Sequence, residues 1–530
     1  MGRNSQQRHF SVASTTALVA IVLCAQAATN DPVRVEGHAA AEHKQAVQAP
    51  LHEAGVDYDT QRWWRPGDGQ VFAPSATFKN GAGSITTLNA AGATDTQGHP
   101  FFTPLGTNGR ACITCHQPAD GMSVSLDTIR EQWRATQGRD PMFAPVDGSN
   151  CPDLPQGEAS SHSLLLERGL FRIFRPWPPK AHDGSTIEPQ FTVEIVRDPT
   201  GCNSSKTYGL HSSTPMVSVY RRPRPVTNLK YATAIGFAFE PKNGLPLPID
   251  PDTGKQTNFN IMADARNQTL RTQATEAILV HLQASIAPDK SVVQRIVDFE
   301  SQLFSAQSHD RWDARLDTHG AQGGPQMLQK SLAGDLQYAG NPIWSEFLPW
   351  AKAPTDAGND EQRKYRESVA RGAEIFAKRT FLISDAAGIT SMQFGNPVRN
   401  SCAFCHNMAR TGMDVAPGQV DLGTTNEPFA KPAPELPLFK LTCKPEYKPH
   451  PHLGRVVYTQ DPGFALTTGR CIDIGKITIQ QMRGLSARAP YFANGSAKTL
   501  REIVDFYDQR YNIHFTEQEK QDLTNLMEVL

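Results

Sequence analysis

Two copies of one five-residue pattern constrain this 530-residue chain more than any other feature. C-x-x-C-H occurs as C-I-T-C-H at residues 112–116 and as C-A-F-C-H at residues 402–406. Thiols at this spacing attach to the two vinyl groups of one porphyrin, and the adjacent imidazole reaches its iron. A structural zinc site would need four ligands in local pairs, and neither motif has a second pair beside it. The sequence therefore predicts two covalently bound haem c groups.

The motif also gives each of its residues a role. The cysteines are the attachment points, and the histidines are the proximal ligands of the iron. The predicted haem-binding residues are Cys112, Cys115 and His116 in the first motif, and Cys402, Cys405 and His406 in the second.

The first 27 residues have the pattern of a secretory signal peptide. Arg3 and Arg8 precede an apolar run at residues 15–24, and A-Q-A at residues 25–27 forms a small-residue cleavage site. The apolar run is too short to span a bilayer, and no later stretch is apolar enough for a membrane helix. We therefore expect an exported, periplasmic protein without a membrane span.

The remaining cysteines fit an oxidising compartment. Of nine cysteines, Cys24 leaves with the signal peptide and four attach haem, so four are left. An even number in an exported protein favours disulfide bonds. The simplest pairing stays within each haem half and joins Cys151 to Cys202 and Cys443 to Cys471, although four cysteines allow three connectivities.

Charge excludes one class of partner. Lysine and arginine number 52 and aspartate and glutamate 53, which gives a net charge of −1. Because this balance provides no basic field, we expect no nucleic-acid partner.

The organisation of the chain predicts a mainly α fold. We expect two cytochrome-c-like haem domains facing each other, with a loop-rich, partly β insertion in the first. The insertion covers residues 140–225, where proline and glycine are dense and F-T-V-E-I-V at residues 191–196 resembles a strand. The expected boundaries are a signal peptide at 1–27, an irregular extension at 28–95, haem domains at 96–317 and 363–530, and a linker at 318–362.

Apolar periodicity predicts the main helices of both haem domains. They are expected at residues 269–285, 291–305 and 368–379, with two more near the C-terminus. The last two begin at T-L-R-E (499–502) and T-E-Q-E (516–519), both of which match the capping box.

Two longer stretches carry a family resemblance. R-A-P-Y-F-A-N-G-S at residues 488–496, with Leu500 and Val504, is similar to the C-terminal segment of the bacterial dihaem cytochrome c peroxidases. R-R-P-R-P-V-T-N at 221–228, with the segments at 262–266 and 269–274, resembles another conserved run of the same superfamily. That superfamily includes the MauG-type enzymes and the dihaem rubber oxygenases, and the resemblance spans roughly residues 100–530.

The resemblance implies a division of labour between the two haems. Peroxide or oxygen would react at the N-terminal haem, and the C-terminal haem would store or relay electrons. Tyr507 falls where relatives place a distal Met or Tyr ligand, and a phenolate oxygen would stabilise ferric iron. Tyr507 also shares a helix face with apolar residues, so a core aromatic is the alternative; Met413, Met482 and His514 are competing ligands.

At the first haem the resemblance implies a distal glutamine, which matches Gln273. A histidine can shuttle protons at neutral pH, so His281 is our candidate for distal acid–base catalysis. Equally open are His281 as a sixth iron ligand and His281 as a core residue bonded to a carbonyl. On one unbroken helix Gln273 and His281 would lie about 12 Å apart, too far for both to touch one small ligand.

Two positions depart from the family pattern. Ala263 stands where relatives carry a tryptophan between the haems, and Ala493 stands where they carry a histidine. The resemblance further implies a calcium ion, near Asn228 and the carbonyls of Arg488 and Pro490.

The leading hypothesis is an enzyme, a cytochrome c peroxidase-like haem oxidoreductase that uses peroxide or oxygen. Its electron donor would be a periplasmic electron-transfer protein or a quinol-linked donor. The alternatives are a non-enzymatic electron-transfer cytochrome c and a dihaem dioxygenase of a hydrophobic substrate.

Overall fold

A computed structural model describes residues 62–530 with seven gaps, at 234–248, 251–252, 255–260, 331–344, 353–357, 392–394 and 407–417. The predicted signal peptide therefore lies outside the described residues. From Val56 to Leu530 the chain forms one compact unit by its internal contacts. The expected domain boundaries within this unit stay predictions.

Six small antiparallel sheets are distributed along the described chain. Two have three strands, in the orders β2-β3-β8 and β6-β12-β13, and four are pairs, β1-β4, β5-β7, β9-β10 and β11-β14. The strands are β1 Val71–Phe72, β2 Ser75–Asn80, β3 Gly83–Asn89, β4 Thr94–Asp95, β5 Phe171–Pro176, β6 Phe191–Arg197, β7 Met216–Arg221, β8 Leu303–His309, β9 Phe381–Ile383, β10 Val398–Asn400, β11 Gln419–Val420, β12 Leu438–Cys443, β13 Val456–Thr459 and β14 Ile477–Thr478.

Ten α-helices are described. They are α1 Leu126–Thr136, α2 Ser163–Arg168, α3 Leu229–Thr233, α4 Leu270–Val280, α5 Lys290–Glu300, α6 Pro325–Lys330, α7 Asp360–Lys378, α8 Ala465–Thr468, α9 Leu500–Tyr511 and α10 Glu517–Glu528. The longest, α7, packs against α10 at Gly372, where a Cβ atom would lie 2.1 Å from the carbonyl oxygen of Asp522. The absence of a side chain at this glycine lets the two helices approach closely.

The predicted mainly α fold with two cytochrome-c-like domains is wrong. The described residues are 30% helical and 19% strand, with several small sheets. Four strands lie between residues 71 and 95, where the sequence predicts an irregular extension. These strands are short, and they are stabilised by pairing with one another and, for β3, with the distant β8, so local alternation of apolar residues did not reveal them.

The predicted helices are mostly present, but two end early. α4 stops at Val280 rather than at residue 285, and Gln283 has a positive φ of 56°. α5 ends at Glu300, and the chain then enters β8 at Leu303. α10 begins as predicted with a capping box, in which the side chains of Thr516 and Glu519 accept each other's backbone N–H.

One sheet joins distant parts of the sequence. β6, from the predicted insertion, pairs with β12, so that Phe191 faces Cys443, and β12 continues to β13. Cys443 is bonded to Cys471 beneath this sheet, and Cys151 is bonded to Cys202. Both predicted disulfide pairings are confirmed, and disulfide bonds are typical of exported proteins. Among the described helices, none is long and apolar enough to cross a membrane.

Candidate functional site

Two cavities of similar size each contain one C-x-x-C-H motif. The N cavity is lined by Cys112, Cys115 and His116 and has an empty volume of about 1540 Å³, which includes some open solvent. The C cavity is lined by Cys402, Cys405 and His406 of the second motif and has an empty volume of about 1520 Å³, which likewise includes some open solvent. Mostly apolar cavities of this size suit a bulky organic cofactor.

The local backbone explains why each motif presents its three side chains together. Both motifs open with a 3-10 turn, over Cys112–Thr114 and Cys402–Phe404. The turn closes when the N–H of the histidine donates to the carbonyl of the first cysteine, at 3.2 Å in His116 and 3.1 Å in His406. None of the four motif cysteines forms a disulfide bond, which leaves their sulfur atoms for attachment to a macrocycle.

His116 is arranged as a metal ligand would be. Its Nδ1 donates to the carbonyl oxygen of Met122 at 3.0 Å, which directs the lone pair of Nε2 away from the backbone. Histidine ligands almost always have such a second hydrogen bond, which fixes the tautomer and the ring orientation. Burial lowers the pKa of His116 to about 4, so the imidazole is neutral, the form that binds iron.

Each cavity also contains a buried polar atom without a partner in the described chain. In the N cavity it is Oε2 of Glu300, and next to the C cavity it is the hydroxyl of Tyr511. Burial raises the pKa of Glu300 to about 8, so its carboxyl is protonated at neutral pH. An unsatisfied buried polar atom costs about 1–3 kcal/mol, and a cofactor with polar edges would offer partners. The residues of both cavities therefore fit a haem c.

His281 lies in the N cavity as the third member of a buried chain of polar contacts. Arg110 donates to Asp147, and Nδ1 of His281 donates to the other carboxylate oxygen of Asp147 at 2.5 Å. Asp147 is 2% exposed, whereas the side chain of His281 keeps 30% of its surface accessible. Burial alone would raise the pKa of Asp147, but the charge of Arg110 and the bond to His281 outweigh it, and the pKa is lowered. The ionised carboxylate therefore orients a reachable imidazole.

The segment just before the first motif fixes the position of His281. Asn108 donates from its side chain to the carbonyl of His281 at 2.8 Å, and Thr107 N–H donates to that of Leu282 at 3.1 Å. At Gly106 a Cβ atom would lie 1.7 Å from the Leu282 oxygen, so the close approach requires glycine. The first C-x-x-C-H motif and His281 are thereby linked through a few residues of backbone.

Gln273 also lines the N cavity, on α4. α4 ends at Val280, and His281 follows as its C-cap. The eight-residue separation corresponds to about 12 Å along the helix axis. Gln273 and His281 therefore line the same cavity at different heights along α4.

The C cavity has an aromatic rather than an acid–base lining opposite its motif. Tyr507 lies on α9 with its ring centre 6.4 Å from that of His406, and it stacks on Tyr511 at 6.3 Å. Burial, followed by the neighbouring Tyr511, holds the pKa of Tyr507 well above its usual range. Met482 lines the same cavity, so the competing methionine ligand stays open; Met413 lies outside the described residues.

The two cavities share a wall. The residues that line both are Arg222, Pro223, Arg224, Ala263, Gln480 and Gln481. Ala263, the departure from the family's tryptophan, thus lies between the cavities, and no aromatic side chain occurs in this shared set. Ala493, the second departure, lines the C cavity.

The implied calcium site gains no support from the described residues. The side chain of Asn228 donates to Ser305 O and Gln481 Oε1, and its oxygen accepts from Ser305 N–H. No group of three or more His, Cys, Asp or Glu that could hold a metal ion occurs in the described chain.

Sequence reasoning missed Arg110, Asp147 and Glu300. Arg110 lies two residues before Cys112, the start of the first motif, and that closeness was the one available signal. Asp147 lies in a loop rich in proline and glycine, and Glu300 ends an ordinary amphipathic helix. Only tertiary packing identifies these two.

Comparison with known proteins adds little. No protein-family profile matches the sequence, and no curated protein matches it. One solved structure, titled "Crystal structure of a MauG-like protein associated with microbial copper homeostasis", shares 16% identity over 57% of this chain and 82% of that chain, with a TM-score of 0.24. A likeness this weak carries no argument about fold or function. The family therefore stays a prediction from the sequence motifs.

Proposed function

We propose that this protein is an exported oxidoreductase with two covalent c-type haems, one that reacts with peroxide or oxygen and one that passes electrons. The observation that carries the proposal is that two cavities of similar volume are lined by different kinds of side chain. The N cavity has the His281–Asp147 pair, and the C cavity has Tyr507 among aromatic rings. Two simple electron-storage sites would not need a buried acid to orient a histidine in only one of them.

In the N cavity, His116 would hold the iron and Cys112 and Cys115 the macrocycle. A haem bound there would supply the iron at which an oxygen–oxygen bond is reduced. In the neutral tautomer whose Nδ1–H donates to Asp147, Nε2 of His281 would accept a proton from an incoming peroxide and return it to the departing oxygen. Reduction of hydrogen peroxide to two water molecules consumes two protons and two electrons, so a proton-holding group beside the site is a chemical requirement.

In the C cavity, His406 would hold the second iron, with Tyr507 as the proposed ligand on the other side. A phenolate oxygen favours ferric and higher oxidation states. Because burial keeps the Tyr507 phenol neutral, ligation would require that its proton pass to solvent, a loss that the positive charge of an iron would favour. This haem would then store or relay an oxidising equivalent from the N cavity.

A second candidate is a non-enzymatic electron carrier. It is favoured by the location of His281 in the same cavity as His116. If His281 is the sixth ligand, the N-terminal iron has no open position. The two functions then differ in one observable, the coordination of that iron.

The test uses the purified periplasmic protein. Mass spectrometry should show two added macrocycles, and the ferric spectrum should show one high-spin haem that responds to cyanide and peroxide. His281→Gln should slow the peroxide reaction, whereas His162→Gln should not, because His162 is a buried histidine outside both cavities that bonds only carbonyls. Two low-spin haems, one of which becomes high-spin in His281→Gln, would establish the electron carrier instead.

A further inference from the structure

Two buried arginines beside the C cavity have no acidic partner in the described chain. Arg222 is 7% exposed and Arg488 is 8% exposed. Arg222 donates to the carbonyls of Gly169 at 2.8 Å and Val124 at 2.7 Å. Arg488 donates to the carbonyl of Gln481 at 2.6 Å. The ion pairs of the described residues include neither guanidinium, so the direct partners of both are main-chain oxygens, and Asp120 acts on Arg222 only through its more distant charge.

Two such charges close together are unfavourable without an anion. Burial, followed by the neighbouring charge of Arg488, lowers the pKa of Arg222 to about 10, although the charge of Asp120 acts in the opposite direction. Burial likewise lowers the pKa of Arg488 to about 10, so both remain protonated at neutral pH. By contrast, the adjacent Arg221 is paired with two carboxylates, those of Asp264 and Asp461. Buried charges normally have such partners.

The positions of the two guanidinium groups indicate where the missing anion belongs. Both arginines line the C cavity, and Arg222 lines the N cavity as well. A haem carries two propionate carboxylates, and arginine binds carboxylates through paired N–H groups. We propose that Arg488 and Arg222 bind propionate carboxylates, Arg488 those of the C-cavity haem and Arg222 those of both haems from the shared wall. This inference rests on the proposed function, since it requires a haem in each cavity.

Arg172 provides a matched control. It is 3% exposed, its N–H groups reach Ser218 and the carbonyl of Val146, and it has no acidic partner in the described ion pairs. It lines neither cavity, and its charge lies 4.5 Å from the ring centre of Phe174, a contact that stabilises a buried cation. A change at Arg172 therefore removes a buried guanidinium that lines neither cavity, although its charge also acts on Asp147 of the N cavity.

The experiment is a potentiometric titration of the two haems in the purified holoprotein, without added carboxylates. A nearby positive charge stabilises the ferrous state, which has one more electron than the ferric state, so its loss lowers the midpoint potential. Arg488→Gln should lower mainly one potential, and Arg222→Gln should lower both. We expect about a tenfold change in the ferrous-to-ferric ratio at a fixed potential, which for one electron is about 59 mV.

Lysine substitutions are the controls for misfolding. Arg488→Lys and Arg222→Lys keep the charge in the cavity wall and should leave the potentials near those of the wild type, as should Arg172→Gln. Unchanged potentials in both glutamine variants, with two haems attached, would overturn the inference and leave the proposed function intact. Equal shifts in Arg172→Gln would also overturn it. A wild-type protein without attached haem would overturn both this inference and the proposed function.

Discussion

Replacing Asp147 with asparagine tests whether the orientation of the His281 ring matters, because the histidine itself remains in place. Asp147 holds Nδ1 of His281 at 2.5 Å and is itself held by Arg110. Asparagine has nearly the same shape and can still accept a bond from Arg110. Its amide, however, does not bear the negative charge that favours Nδ1–H on the imidazole. His281 would then lose the tautomer in which Nε2 accepts a proton.

Two magnitudes follow from this geometry. General acid–base catalysis typically contributes about 10²–10⁴ in rate, so a histidine that keeps its place but loses its orientation should cost about 10²-fold. Breaking a fully buried ion pair destabilises a protein by about 3–5 kcal/mol. Because the asparagine oxygen retains the bond from Arg110, which also donates to Pro141 O and Met142 O, we expect the lower end, about 3 kcal/mol.

The assay is stopped-flow mixing of the reduced holoprotein with hydrogen peroxide, followed by haem absorbance, alongside urea unfolding. Asp140→Asn is the control, since Asp140 caps a nearby 3-10 turn by accepting from Met142 N–H at 2.8 Å and is not among the residues that line either cavity. Its charge acts on Arg110 and Cys115 through space, so this control also reports what the loss of a nearby charge does by itself. If Asp147→Asn reacts with peroxide at the wild-type rate while fully folded, the orienting role of Asp147 is refuted. If both variants slow equally, the effect is structural.

Three further predictions concern other parts of the two sites. Burial raises the pKa of Glu300 from 4.5 to about 8, so the stability that its protonated carboxyl contributes is fully present below pH 4.5 and is lost as pH rises through 8. In Glu300→Gln this decrease in stability between low and high pH should disappear. The urea midpoints of wild type and variant at pH 6 and pH 9 measure it. Tyr507→Phe should change the absorption spectrum of one haem only. Tyr511→Phe keeps the proposed ligand and should leave both haem spectra unchanged. An unchanged spectrum in Tyr507→Phe would contradict ligation by Tyr507. Gly106→Ala should displace His281 and slow the peroxide reaction at least tenfold with haem content unchanged, and a wild-type rate would show that the contact at Gly106 does not position the histidine.

The sequence was informative where function depends on local spacing. The two motifs predicted which side chains meet in each cavity, and the even count of the remaining cysteines predicted both disulfide bonds. The capping box at Thr516 predicted the start of α10, because its bonds join residues only three positions apart. Gln273 and His281 were both found in the N cavity, although their roles stay predictions.

Long-range contacts were not accessible in the same way. Asp147 reaches His281 across 134 positions, and no local pattern marks an aspartate in a loop as a partner of a distant histidine. The strand content was missed for a related reason, since strands such as β2 and β4 are short and are stabilised by partners rather than by their own sequence. Arg222 lay inside a recognised motif, yet its lack of an acidic partner appears only after folding.

The sheet formed by β6, β12 and β13 has a consequence for the order in which the chain matures. Its first strand, Phe191–Arg197, pairs with a strand that begins at Leu438. The second C-x-x-C-H motif lies between these two strands in the sequence. If the chain is exported N-terminus first, as proposed, both C-x-x-C-H motifs would emerge before this sheet can close. A protein truncated before residue 438 would leave β6 as an exposed edge, so neither half is a natural unit for expression on its own.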